Sequence, residues 1–253
     1  MTRMAAVLAA LDNSLAVNPV LVMARALARL LGDRVEAIHV VGEGAEAAEE
    51  ATIAAGVPLR LARGPVVEGL VEAGQADGVS ALVIGARGTI TSDHALGSTA
   101  LAVVTVLQTP VVVVPPAAEV ASRIRRVLVP LEGTMSSSLA PRSIIELADG
   151  AEVEVSVLHV DGSNESDERW AREFLTRFCP WGLGKVQLER RAGKREEVLP
   201  LVADELQSDL IVLGWAQQLS HGRAPVVRAV LERSKIPVML IPVLVEGEAN
   251  GRA

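Results

Sequence analysis

Three short stretches of the chain carry polar groups suited to holding an anion. Asp12-Asn13-Ser14 follows one aliphatic run, Gly85-Ala86-Arg87-Gly88 follows another, and Gly97-Ser98-Thr99 opens a helical stretch. Glycines admit close backbone approach and positive φ. A helix start presents unpaired N–H groups and the positive end of its dipole to a negative ligand. Ser98 and Thr99 add hydroxyl donors, Arg87 adds charge, and Asp12 can accept from a ribose hydroxyl. Together these are the parts of a phosphate cradle for an anion or nucleotide. Each also has a plain structural use. Asp12 and Ser14 can cap a helix, Gly85 and Gly88 can make a turn, and Gly97 can ease helix packing.

Other chemistries lack their residues. No GxxxxGK[ST] loop occurs, and Gly182-Leu183-Gly184-Lys185 has the wrong spacing. No GxGxxG fingerprint, G-x-S-x-G elbow or H-E-x-x-H helix is present. The four histidines do not cluster, and His39 and His159 stand at equivalent places in a repeat, which suits packing better than catalysis. A single cysteine, Cys179, excludes an internal disulfide and any multi-cysteine metal site. Net charge is −7, and the longest basic group is only Arg123, Arg125 and Arg126. A nucleic-acid reader normally shows a basic face, so that class is set aside.

The elements that must position these residues come in two copies. Val7–Ser14 matches Val127–Thr134, and Ala37-Ile38-His39-Val40 matches Val157-Leu158-His159-Val160. Leu82–Gly85 matches Ile211–Gly214, and Thr109–Pro115 matches Ile236–Pro242. Four matches in one order define a tandem repeat, with domains at 1–116 and 124–245 and a short polar, proline-led linker between. In the first copy strands fall near 5–11, 35–41, 57–62, 80–84 and 110–114. Helices fill 15–31, 45–55, 65–76 and 98–107, the first capped by Ser14 and ended by Gly32. This alternation predicts an α/β fold, a mainly parallel, doubly wound sheet with right-handed crossovers. Ligands in such sheets bind beyond the carboxyl ends of strands where strand order reverses, which is where the three polar stretches fall. In the second copy Trp170, Phe174, Phe178 and Trp181 share one helical face. The apolar run after Arg3 could pass for a signal peptide, but it recurs internally after Arg126, so it reads as a strand of a cytoplasmic protein.

Gly85-x-x-Gly88, then Gly97-Ser98, a helix and Thr109-Pro110-Val111-Val112-Val113-Val114, resembles the nucleotide loop of universal stress proteins. Val7–Ser14 resembles that family's first strand and its Asp-Gly-Ser turn, and Ile38-His39-Val40 its second strand. The resemblance implies two tandem five-stranded domains of the adenine-nucleotide alpha-hydrolase-like type, with flavodoxin-like strand order. It implies that Asp12 and Val40 line the adenosine, with Gly85, Arg87, Gly88, Gly97, Ser98 and Thr99 around ribose and phosphates. The ligand is then ATP or a related adenine nucleotide, with Mg2+ accompanying it. The resemblance also implies that the last strands of the two copies pair, an intramolecular pseudo-dimer, with a homodimer of whole chains as a further option.

The first copy departs from the family in one place. Only eight residues, Thr89–Leu96, separate Gly88 from Gly97, one fewer than the family pattern, and they include Asp93 but no Lys or Arg. A carboxylate beside phosphates calls for a divalent cation. The second copy departs further, with Glu132 for the Asp, Gln217 for the second glycine, and Ala224-Pro225 for the final Gly-Ser. Trp215, next to Gly214, can fill the space that a ligand would take. The expected function is a stress-associated regulatory protein binding nucleotide only in its N-terminal domain, with no dedicated catalytic residues and at most weak ATP hydrolysis. Two rivals stand beside it. One is an interaction or scaffold module of the same fold without nucleotide. The other is an adenylating enzyme, whose Ser-Gly-Gly-type loop Asp12-Asn13-Ser14 does not match.

Overall fold

Ala6–Leu11 are buried along their whole length, and they form the first central strand, β1. A run apolar at every position has no solvent face, so it must lie between two layers of helices. The structure, a computed structural model, describes residues 4–14, 16–41, 45–87, 96–116, 118–130, 152–161, 186–215 and 225–243. After β1 come α1 (Val17–Leu31), β2 (Arg34–Val41), α2 (Glu46–Ala55), β3 (Leu59–Arg63), α3 (Val66–Gly74), β4 (Val79–Gly85), α4 (Ser98–Val106) and β5 (Val111–Val114). The second copy supplies β6 (Arg126–Pro130), β7 (Glu154–Asp161), β8 (Val186–Ala192), α5 (Arg195–Glu205), β9 (Leu210–Trp215), α6 (Pro225–Arg233) and β10 (Val238–Pro242). The strands and helices expected from sequence in the first copy are all present, with ends displaced by one or two residues.

All ten strands join one sheet in the order β3-β2-β1-β4-β5-β10-β9-β6-β7-β8. Every pairing is parallel except β5 with β10, where Val113, Val112 and Val111 lie opposite Val238, Met239 and Leu240. Read from either end the order is the same, as a two-fold through the β5–β10 seam produces. Within each half the order 3-2-1-4-5 replaces the flavodoxin order 2-1-3-4-5 expected above. The chain steps outward from β1 to β2 to β3, then crosses the sheet to place β4 on the other side of β1. The reversal therefore falls between β1 and β4.

Alternate strand residues face opposite layers. Val7 and Ala9 join α1 and α2, while Leu8 and Ala10 join α3 and α4, which makes the sheet doubly wound. Both buried layers continue across the seam into the second copy, through Val212 and Met239 on one face and Leu213 and Leu240 on the other. Gly32 ends α1 at φ 72°, where its N–H donates to Ala28 O. Ser14 does not cap α1 as expected, because the helix starts later. Its hydroxyl accepts from Ala16 N–H at 3.1 Å in the turn ahead of Val17.

The linker is packed rather than a bare spacer. Ala118 and Ile124 are buried, and Arg29 of α1 donates to Ser122 O at 3.0 Å. The Asp209 carboxylate accepts the Arg125 and Arg126 N–H groups at 2.8 and 2.9 Å, which fixes the entrance to β6. Charges at the two outer strands, Arg60 and Arg63 on β3 and Glu189 to Arg191 on β8, blunt the edges that remain open.

Candidate functional site

The β1 register runs Leu11 opposite His39 on β2 and Ala10 opposite Ile84 on β4. Asp12 is the residue immediately beyond the end of β1. Asp12 Oδ1 accepts the Ser14 N–H at 2.9 Å, a tight turn that uses one carboxylate oxygen. His39 lies beneath it, 5% exposed, with Nδ1 2.9 Å from Leu11 O. A carbonyl can only accept, so Nδ1 carries the proton and the ring ties the end of β1 to β2. This positioning role for His39 was visible in sequence only as a repeated strand position.

Gly85 is the last residue of β4, and Ala86 N–H donates to Val114 O at 2.7 Å. The chain then returns so that Gly97 N–H donates to Ala86 O, also at 2.7 Å. That bond sets the start of α4 against Arg87, since a Cβ on Gly97 would lie 3.7 Å from the Arg87 Cα. Gly97 caps α4 in an extended conformation with no side-chain acceptor, so the first amides of the helix, at Ser98 and Thr99, have no intrahelical partner. Ser98 is exposed and Thr99 half-buried.

Atoms of the protein itself come close to both glycines. A Cβ at Gly85 would meet Ala16 Cβ at 3.0 Å, and one at Gly97 would meet Ala86 O at 3.3 Å. A side chain at 97 would press first on the backbone of the β4 exit. Val40, expected beside adenosine, is 7% exposed and turns its side chain toward α3, where a Cβ on Gly69 would come within 3.3 Å of it. Gly88, Asp93 and His94 lie outside the described residues, as do Glu132, Gln217, Ala224, Cys179 and the aromatic stripe from Trp170 to Trp181.

The second copy is built differently at the matching place. Pro225 is the first residue of α6 and has no N–H to offer. Trp215 is 2% exposed, and its indole N–H donates to Val104 O of α4 at 3.0 Å, so it reaches into the other half. Among the described residues no group of three or more His, Cys, Asp or Glu could hold a metal ion, and no helix is long and apolar enough to cross a membrane.

The strand order reverses between β1 and β4, with the start of α4 beside the exit of β4, and this places the chain among doubly wound α/β proteins. The chain belongs to the universal stress protein family, whose model matches residues 42–115 and 165–242, more than half of its length and once in each copy. A universal stress protein from Archaeoglobus fulgidus superposes with a TM-score of 0.70 at 18% identity, covering 95% of this chain and 97% of that one. A functionally unknown protein from Pseudomonas aeruginosa gives 0.69 at 13% identity, covering 95% and 93%. At these identities the likeness is one of fold, and it runs through both copies. No curated protein matches the chain.

Proposed function

We propose that this chain is a stress-associated regulatory protein that binds ATP or a related adenine nucleotide, and that it does so in its N-terminal half. Membership of the family supports the first part. The seating of α4 carries the second. The 2.7 Å bond from Gly97 N–H to Ala86 O brings the first turn of an uncharged helix against Arg87, one strand from Asp12. In this reading the phosphates lie over the first amides of α4, met by the Ser98 and Thr99 hydroxyls and the Arg87 guanidinium. Ribose hydroxyls donate to Asp12, and the base lies over the end of β2, where Val40 offers main-chain atoms. Gly85 keeps the floor low, and Mg2+ arrives with the phosphates. The protein is cytoplasmic and holds its nucleotide rather than turning it over, with hydrolysis at most weak.

The test is mass spectrometry of small molecules released from freshly purified protein, paired with calorimetry of added MgATP. An adenine nucleotide and a saturable heat are expected. Their joint absence overturns the reading in favour of a scaffold module, a role that the proline-led α6 already suits in the C-terminal half.

A further inference from the structure

The helix that faces the candidate ligand is held at its other end by the opposite half of the molecule. Val104 lies in the last turn of α4, and its partner four residues on would be residue 108, beyond the end of the helix at Val106. Its carbonyl accepts the indole N–H of Trp215, 111 residues away, in a buried bond of 3.0 Å. Trp215 is itself fixed. It ends β9, pairs with Pro242 on β10, and its carbonyl accepts the Val243 N–H at 2.8 Å. β10 in turn is hydrogen-bonded to β5, the strand that α4 leads into. A nine-residue helix is a stiff rod of about 13 Å, so a displacement at its last turn is carried to its first.

We propose that Trp215 is a positioning residue for the nucleotide site, capping α4 across the seam so that ligand affinity in the N-terminal half depends on the C-terminal half. The proposal rests on the nucleotide reading above. It gives the copy with the altered loop a task, because the bulky residue next to Gly214 steadies the other copy's ligand helix. Binding and the indole bond are then coupled in both directions.

The experiment uses the full chain labelled with 15N on tryptophan. Its three indole resonances are followed during MgATP titration, with Trp215 assigned by its loss in W215F. The Trp215 resonance should be protected from solvent exchange and should shift with the same midpoint that calorimetry gives. W215F keeps an aromatic ring without the N–H, and should bind MgATP about fivefold more weakly. Val230→Ala, which opens a cavity at a fully buried position of α6 in the same half, controls for stability and should melt lower with unchanged affinity. An unmoved indole resonance during saturable MgATP binding overturns the coupling, as does equal weakening in W215F and V230A. No MgATP binding by the native chain overturns the nucleotide reading, and the proposal with it.

Discussion

One oxygen of the Asp12 carboxylate accepts the Ser14 N–H at 2.9 Å, so under the proposed function turn and ligand draw on the same side chain. The two uses separate in substitution. Asn in place of Asp12 keeps an acceptor for the Ser14 N–H and removes the charge. A hydrogen bond to a charged group exceeds a neutral one by about 1 kcal/mol, so D12N should weaken MgATP about fivefold with an unchanged melting temperature. D12A should lose both the turn and the affinity, and calorimetry beside thermal denaturation separates the two. Full affinity in both variants would remove Asp12 from the site. The glycines divide in a similar way. Ala at 85 meets Ala16 Cβ at 3.0 Å, so G85A should cost about 1–3 kcal/mol in urea denaturation through overpacking. Ala at 97 meets a backbone oxygen at 3.3 Å and has an ordinary φ of −69°, so G97A should lengthen the bond to Ala86 and weaken MgATP more than it lowers stability. The reverse order would mean that Gly97 serves the fold alone.

Strands and helices were legible because their signals are local. Val111–Val114 is aliphatic at every position, and Gly32 follows the last apolar turn of α1 at a left-handed φ. What sequence missed depends on partners far along the chain. The linker reads as polar, yet Ala118 within it is buried, and just past its end Ile124 is buried and Asp209 grips the chain from more than 80 residues away. The reversal of strand order falls between β1 and β4, beside the ends of the two strands that carry the polar stretches. The side chain of Val40 belongs to the layer against α3, a packing partner that its position in sequence does not give. The aliphatic runs at β5 and β10 also raised a question that only tertiary structure answers: what covers two terminal strands? They cover each other, antiparallel, at the centre of the sheet. Amides of Val111–Val114 and Val238–Leu240 should therefore exchange at least about a hundredfold more slowly than those of β3 and β8, a difference of about 2.8 kcal/mol in opening free energy. Exchange at the seam as fast as at the outer edges would show that the halves part readily.

The order β3-β2-β1-β4-β5-β10-β9-β6-β7-β8 treats the two copies as equals, but their residues at the reversal do not. In the first copy the helix after β4 starts with Gly97-Ser98-Thr99, and small residues leave its amides approachable. In the second the helix after β9 starts with Pro225, which removes one donor, and the strand ends in Trp215, a side chain buried to 2% exposure. Anion affinity at a helix start comes from N–H groups within reach of the ligand, so these changes act together against a second site. Trp215 is also committed elsewhere, through its indole bond to Val104 of the other copy. Symmetric packing and asymmetric chemistry then predict a stoichiometry. Calorimetric titration of the full chain with MgATP should end at one nucleotide per 253-residue chain, and D12N should weaken that single event. Returning Trp215 to Ala should not create a second event, because Pro225 still interrupts the helix start. A native stoichiometry of two, or a single event that ignores D12N, would place nucleotide in the C-terminal half and reverse the assignment of the copies.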